Sequence, residues 1–170
     1  IQLALPFVIN NVKQAAVADV AARMLMNRGR GRLDAAILEP GSAIRSARAF
    51  IYSPDVESRL IIEAVVAPTR VDDAWQRLFT VLINLTQQPP SEADFFQATR
   101  GLTSHVEIID SHPTTLARHM GSLARRWGSG LNAHKVWLHN VNRLRPDLMT
   151  AWWKNIVQPE RITALVTIPN

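Results

Sequence analysis

The fold is decided by a short stretch at positions 59–67, with the sequence RLIIEAVVA, and by the chain on either side of it. This stretch is rich in branched apolar side chains, which is typical of a β-strand. Residues 44–53 alternate in part between apolar and polar side chains and lead to a turn signal at Ser53-Pro54. Together the two segments predict an antiparallel hairpin or meander.

The segments that flank this hairpin predict one more strand on the N-terminal side and mostly helices on the C-terminal side. Residues 1–9, IQLALPFVI, form a second branched run and predict a buried strand, in which Pro6 would suit an edge or a bulge. Helical spacing or helix-start signals then mark residues 12–27, 33–39, 71–85, 91–109, 115–127, 134–144 and 146–157. Thr69-x-x-Asp72 resembles a capping box for the third of these helices, and residues 161–168 alternate like a closing strand.

The order of the elements predicts an α+β fold with two layers, in which several helices cover one face of a small, mostly antiparallel sheet. A length of 170 residues suits one domain, and a hydrophobic content of 47% with mean hydropathy of -0.01 excludes a disordered chain. We therefore expect a single domain over residues 1–170. Because the sequence opens inside a strand and without methionine, we expect this domain to be a fragment of a longer chain.

The residue types that carry most enzymatic chemistry are absent or wrongly spaced. The chain has no cysteine, which excludes a disulfide scaffold, a thiolate zinc site and a cysteine nucleophile. His105, His112 and His119 are seven residues apart, and two helical turns, about 10 Å, separate such side chains too widely to share one zinc ion. No histidine belongs to H-x-x-E-H or H-E-x-x-H. We therefore predict no catalytic residue and no metal ligand in this chain.

The net charge of +5 raises the alternative of a basic module that binds nucleic acid. Arg28, Arg30 and Arg32 alternate with glycines, and arginine binds phosphate with two parallel hydrogen bonds. However, no aromatic side chains are interleaved with them, and cations at the end of a helix also suit its dipole. A solvated turn is therefore favoured over nucleic-acid binding.

Several short motifs follow one another in an order that is known from other proteins. Arg32-Leu33 and Ile37-Leu38-Glu39 precede the hairpin, Ser91-Glu92-Ala93-Asp94-Phe95 opens a later helix, and Pro159-Glu160 precedes the last strand. In this order and spacing the chain resembles, over nearly its whole length, one half-unit of the pitrilysin-like (insulinase) zinc metallopeptidases. Because H-x-x-E-H is missing, it is similar to the inactive, C-terminal type of half-unit.

The resemblance implies a non-catalytic half of a zinc-dependent peptidase. Its implied role is to form a wall of the proteolytic chamber, to dock the zinc-bearing half and to contact the peptide substrate, with zinc expected only in that partner half. The parent protein or complex would be a zinc metallopeptidase, and a periplasmic or secreted location is implied for it. The chain alone is not expected to be an enzyme, to hold a cofactor or to span a membrane.

The resemblance also directs attention to four positions. The metal-free half of this family often lends an arginine and a tyrosine to the substrate carbonyl, and here the matching positions hold Leu38 and, allowing a gap of one residue, Ile44. The pair is therefore missing. Arg45 and Arg48, near or on the first hairpin strand, are candidates to face an acidic substrate or the partner, although both also suit a plain charged surface. The main alternative function is a scaffold or interaction subunit without proteolysis, like the core subunits of respiratory complexes that share this fold.

Overall fold

The computed structural model describes residues 1–27, 31–54, 57–128 and 130–167. Within these ranges four strands form one antiparallel sheet, in the order β2-β3-β1-β4. The strands are β1 (Gln2–Val8), β2 (Ile44–Tyr52), β3 (Glu57–Val66) and β4 (Thr163–Leu165). The predicted pairing of β2 with β3 is confirmed, and β3 in turn pairs with β1.

Helices make up most of the rest of the described chain. They are α1 (Val12–Leu25), α2 (Arg32–Leu38), α3 (Val71–Gln87), α4 (Glu92–Asp110), α5 (Pro113–Trp127), α6 (Gly130–Arg143) and α7 (Pro146–Ile156). Side-chain caps begin two of them: Asn11 accepts a hydrogen bond from the backbone of Gln14 at 2.9 Å, and Ser91 accepts one from Asp94 at 3.1 Å. None of the described helices combines the length and the apolar character that a membrane span requires.

The helices cover only one face of the sheet, which confirms the predicted α+β fold with two layers. Leu3, Leu5 and Phe7 alternate along β1 toward the helices, and Leu60 and Ile62 do the same on β3. The helices contribute the other side of the core, where the largest fully buried side chains are Leu25, Leu78, Leu82, Met149, Trp153 and Ile156. Each such side chain stabilises the fold by about 1.5–3 kcal/mol through burial, so this interface holds the layers together.

Four local expectations need correction, the first being the sixth helix, which was predicted to start at residue 134 and starts at Gly130. The capping box at Thr69 is wrong, because Pro68–Arg70 form a 3₁₀ turn and α3 starts behind Arg70 without a side-chain cap. The closing strand is shorter than predicted, since β4 covers only Thr163–Leu165, and residue 168 lies outside the described residues. Pro6 lies on an interior strand rather than at an edge. It is tolerated there because β4 pairs only with residues 2–4 of β1, which leaves Pro6 without a strand on that side.

Candidate functional site

The side of the sheet that faces away from the helices is uncovered, and we call it the open face. Successive side chains of a strand point to opposite faces, so the open face collects the residues that alternate with the core. They are Gln2, Ala4, Pro6 and Val8 of β1, Ser46, Arg48, Phe50 and Tyr52 of β2, Glu57, Arg59, Ile61, Glu63 and Val65 of β3, and Thr163 and Leu165 of β4.

A polar row crosses the open face from β2 to β1. The register aligns Arg48 with Glu63 and Glu63 with Gln2. The Arg48 guanidinium forms an ion pair with the Glu63 carboxylate, and Nε2 of Gln2 donates a hydrogen bond to the same carboxylate at 3.1 Å. The row ends at Leu165 of β4, which pairs with Gln2 and is 57% exposed. The charges of this row are therefore paired rather than free.

Apolar side chains lie beside this polar row. Phe50, Ile61 and Ala4 occupy the next register positions across the sheet, and the Arg48 guanidinium carbon lies 5.3 Å from the centre of the Phe50 ring. Ile61 keeps only 8% of its surface exposed, whereas Val65 on the same strand is 59% exposed. Arginine and aromatic side chains with exposed aliphatic neighbours are typical of protein interfaces. The open face thus has the composition of a surface that another protein covers.

The open face is bordered by an edge strand. β2 lies at the end of the strand order, so its outer backbone groups have no strand partner within the described part of the chain. An extended peptide can pair with such an edge through main-chain hydrogen bonds. The register between β2 and β3 shifts between Ile44 and Ser46, which leaves Arg45 as the bulged residue at the start of the strand. The start of this edge therefore carries an exposed positive charge, that of Arg45.

The structure places the four residues singled out by the sequence in different surroundings. Arg48 lies on the open face, and Arg45 is exposed at the bulge. Leu38 is the last residue of α2 and is 70% exposed, while Ile44 is 2% exposed in the core. Neither side chain can donate a hydrogen bond to a carbonyl. The contact role of Arg45 and Arg48, and the correspondence of Leu38 and Ile44 to the family's arginine and tyrosine, remain predictions.

A histidine pair that the sequence did not predict lies among the helices. Nε2 of His119 on α5 is 3.2 Å from Nδ1 of His134 on α6, and Nε2 of His134 is 3.6 Å from a carboxylate oxygen of Asp110. Desolvation and the neighbouring charge of His134 lower the pKa of His119, which favours the neutral ring. Both histidines lie on the inward sides of helices that pack together. The helical periodicity of these two segments was therefore the one sequence signal available for the pair.

The donor set does not fit a zinc ion. Among the residues that the structure describes, no three histidine, aspartate or glutamate side chains converge closely enough to hold a metal. The pair of His119 and His134 supplies two ring nitrogens facing each other, and Asp110 lies on the far side of His134. A catalytic zinc site requires three protein ligands around one point. We therefore derive no zinc chemistry from this chain.

The basic segment considered for nucleic-acid binding is only partly described. Arg32 is the first residue of α2, and its guanidinium lies 2.8 Å from the carboxylate of Asp94 on α4. Arg28 and Arg30 lie outside the described residues. The ion pair of Arg32 ties α2 to α4, which gives this arginine a role within the fold. Nucleic-acid binding by the segment, the alternative that the sequence disfavours, has no support from the described contacts.

Comparisons with known proteins agree with the fold. The family model described as "Peptidase M16 inactive domain" matches residues 1–102, whereas no curated protein sequence matches the chain. The inactive peptidase domain of a candidate zinc protease from Bordetella parapertussis shares 17% sequence identity, with a TM-score of 0.85 over 99% of this chain and 92% of that chain.

Two further solved structures are similar over most of this chain and a smaller part of their own. A chain of complex III2 from Candida albicans has a TM-score of 0.78 at 14% identity, covering 95% of this chain and 40% of that chain. The periplasmic protease PqqL from Escherichia coli has a TM-score of 0.71 at 11% identity, covering 92% of this chain and 17% of that chain. At these identities the similarity shows a shared fold. Since the family model spans more than half of the sequence, the chain belongs to the family of inactive peptidase M16 domains, as the resemblance predicted.

Proposed function

We propose that this chain is the non-catalytic half of a zinc-dependent peptidase, a single domain over residues 1–170 of a longer protein. It forms part of the wall of the proteolytic chamber and docks the half that carries H-x-x-E-H and zinc. Its membership in a family of inactive peptidase domains supports the proposal. In this account the zinc ion and the water it activates belong to the partner half, and this chain contributes binding and enclosure.

The observation that carries the proposal is the open face. Val65 and Leu165 are 59% and 57% exposed, and Phe50 and Tyr52 lie beside them on the same surface. A sheet that faces water on one side normally alternates apolar with polar side chains, so exposed apolar groups on its outer face indicate a partner. The chamber of a two-half peptidase would turn this surface toward the other half and the peptide.

The two arginines give this surface a preference for acidic groups. Arg48 already shares its charge with Glu63, so it favours a partner that replaces or extends that ion pair. Arg45 stands at the bulge of the edge strand without an ion pair among the described residues, and it can approach an acidic side chain of a peptide paired with β2. Both residues would orient the peptide or the partner. Polarisation of the scissile carbonyl would fall to the zinc-bearing half, because Leu38 and Ile44 cannot supply it.

Affinity capture from the native lysate tests the docking role. We compare the wild-type chain with the double variant Val65→Asp/Leu165→Asp on the open face. The matched control is Phe96→Asp/Ile108→Asp on α4, where the two side chains are 62% and 51% exposed. The wild type and the control should retain a polypeptide that contains H-x-x-E-H, together with zinc. The open-face variant should retain at least tenfold less of it.

Circular dichroism of each variant verifies that its helices and sheet are intact before capture. Equal recovery by the open-face variant and the control would contradict docking through the open face. If no zinc-bearing polypeptide is retained by the wild type, and none is encoded in the same longer chain, the proposal is wrong.

A scaffold role is the second candidate, and one observation favours it. The fold is shared with a chain of complex III2 from Candida albicans, and the positions that would supply the family's arginine and tyrosine hold Leu38 and Ile44. In that case the open face would still be covered, but by a subunit without H-x-x-E-H. The same capture experiment distinguishes the two candidates through the sequence and zinc content of the retained polypeptide.

We also infer a periplasmic or secreted location for the parent protein. The inference is supported by the shared fold with the periplasmic protease PqqL from Escherichia coli. Fractionation of the source cells tests it, because a periplasmic protein is released by osmotic shock together with a periplasmic marker enzyme. Recovery only with cytosolic markers would overturn it.

A further inference from the structure

A cavity of about 310 Å³ lies between the edge strand β2 and the helices α1 and α4. Three consecutive strand residues, Ala49, Phe50 and Ile51, border it. The other lining residues lie on helices or at the end of one, so the cavity lies between the helices and β2 and follows the backbone of this edge strand over three residues. We call it the edge cavity. Its volume falls in the range of about 300–1,000 Å³ that is typical of ligand pockets.

The wall of the edge cavity is mostly apolar. Side chains from α1 and α4 provide it, among them Ala22, Met26, Leu102, Val106 and Ile109. A lining of this kind accepts the body of a large apolar side chain through burial of its surface.

One carboxyl group breaks the apolar lining. Asp19 of α1 borders the cavity, and one of its oxygens accepts a hydrogen bond from Nε1 of Trp137 at 2.8 Å. Within the described ranges no other hydrogen bond reaches this carboxyl, so it retains capacity to accept one from a ligand. Burial raises the pKa of Asp19 to about 6, against the opposing effects of the Trp137 hydrogen bond and the charge of Arg126. At neutral pH the group is therefore mainly an ionised acceptor.

The other titratable and charged groups at the cavity restrict what can approach Asp19. Arg23 of α1, His105 of α4 and His119 of α5 also border the cavity. Arg23 and Arg126 are permanently positive, and the pKa of His119 is lowered by desolvation and by His134. The charge of Arg126 acts on the carboxyl and Arg23 borders the same cavity, so a further cation from a ligand would meet two like charges. A neutral hydrogen-bond donor on an apolar body suits these surroundings better than a lysine or arginine side chain.

We propose that the edge cavity binds a tyrosine side chain of an extended peptide whose backbone lies along the free edge of β2. The ring fills the apolar space, and the phenol hydroxyl donates a hydrogen bond to the carboxylate of Asp19. A phenylalanine fills the same space but leaves the carboxylate without a donor, and a lysine brings a charge toward Arg23. The inference rests on the proposed contact between this chain and a peptide, and it names the side chain that the contact selects.

Fluorescence anisotropy with defined peptides tests the inference. The probes are fluorescein-labelled octapeptides of alternating threonine and valine, in which the fourth residue is tyrosine, phenylalanine, lysine or alanine. We expect the tyrosine peptide to bind the wild-type chain about tenfold more tightly than the phenylalanine peptide at pH 7.5, since a hydrogen bond to a charged group is among the stronger ones. The lysine peptide should bind no better than the alanine peptide.

Two variants and a matched control assign the preference to the cavity. In Asp19→Asn the preference for tyrosine over phenylalanine should shrink toward parity. The preference of this variant should also be independent of pH, whereas the preference of the wild type should decline as the pH falls from 7.5 to 5. Ala22→Phe fills the cavity and should weaken binding of both aromatic peptides. Ala93→Phe, at an exposed position of α4, introduces the same side chain outside the cavity and should change nothing.

The outcomes separate this inference from the proposed function. Equal binding of all four peptides would overturn the tyrosine site while leaving backbone pairing at the edge intact. No binding of any peptide would overturn the tyrosine site as well, and the capture of a zinc-bearing half would then decide the docking role independently. A tyrosine preference that persists unchanged in both Asp19→Asn and Ala22→Phe would place the preference outside the cavity and overturn the inference.

Discussion

The two faces of the sheet are built from the same strands but differ in how much of their apolar surface is exposed. On β3, Ile62 faces the helices and keeps 1% of its surface exposed, while Val65 on the open face keeps 59%. The helix-covered face is continuous with the core and contributes stability, whereas the open face leaves apolar side chains in water. An evolved sheet retains such side chains at little cost to folding when another surface covers them. One side of the sheet therefore supplies stability, and the other side is free for the docking role proposed above.

The largest expected effect is the difference in stability loss between substitutions on the two faces. Ile62→Ala removes buried methyl groups between Leu3 and Ala49, its neighbours across the sheet, and should lower the free energy of unfolding by about 2–5 kcal/mol. Val65→Ala on the same strand should change it by no more than about 0.5 kcal/mol. Urea denaturation of both variants measures the difference. Equal losses would show that the open face is part of the core.

A second prediction concerns a buried carboxylate in the helical layer. Oδ2 of Asp34 accepts hydrogen bonds from the backbone N–H groups of Asn27 at 2.7 Å and Gly31 at 2.8 Å. Asp34→Ala leaves both donors without this acceptor, so we expect a loss of about 2–4 kcal/mol in the free energy of unfolding. Chemical denaturation measures it, with the exposed Asp72→Ala of α3 as the control. A loss below that of the control would mean that water replaces the carboxylate at both donors.

The third prediction is a pH dependence in the helical layer. Burial raises the pKa of Asp19 from 3.8 to about 6 in the folded chain. Between these values the folded state holds a proton that the unfolded state has lost, so this group lowers stability as the pH rises through that window. Asp19→Asn removes the cost of the buried charge, so the variant should be more stable than the wild type by about 1–3 kcal/mol at pH 7.5. Water that enters the cavity screens the charge and makes this gain smaller than in a dry site.

The advantage of Asp19→Asn should disappear below pH 4, where the wild-type carboxyl is protonated in both states. Urea denaturation of the two proteins at pH 4 and pH 7.5 isolates this difference from the titration of other carboxyl groups. A variant that is less stable than the wild type at pH 7.5 would show that the charge of Arg126 outweighs desolvation.

The smallest expected effect returns to the open face. Arg48 and Glu63 form an ion pair in which the arginine side chain is 71% exposed. Because exposed ion pairs contribute little, Arg48→Ala should reduce the free energy of unfolding by at most about 1 kcal/mol. It should nevertheless weaken capture of the zinc-bearing half. Thermal unfolding and affinity capture of one preparation compare the loss of stability with the loss of capture. A large loss of stability with unchanged capture would show that Arg48 supports the fold and not binding.

The local patterns of the sequence were enough for the layered fold. The branched run on β3, the alternation on β2 and the helix start at Ser91 depend on neighbours close in the chain, and the structure agrees with each. The cap at Thr69 failed because Pro68 starts a 3₁₀ turn, which displaces the helix start. Local signals thus predicted the elements but missed several of their bounds, among them the early start of α6 at Gly130 and the short extent of β4.

The features that bear on function were harder to predict because they join distant parts of the chain. His119 and His134 meet only when α5 packs on α6, and Asp19 meets Trp137 across 118 residues of sequence. The edge cavity exists only after α1 and α4 have packed beside β2. Single-sequence periodicity identifies the inward side of each helix, but it does not specify which inward sides face each other.

Hydroxyl-radical footprinting of the assembled peptidase tests the central claim most directly. The oxidation rates of Phe50 and Tyr52 on the open face are compared with that of Phe96 on α4, in the free chain and in complex with the zinc-bearing half. We predict strong protection of Phe50 and Tyr52 in the complex and an unchanged rate at Phe96. Protection of Phe96 with unchanged oxidation of both open-face residues would contradict the account, because the partner would then cover the helices and not the sheet.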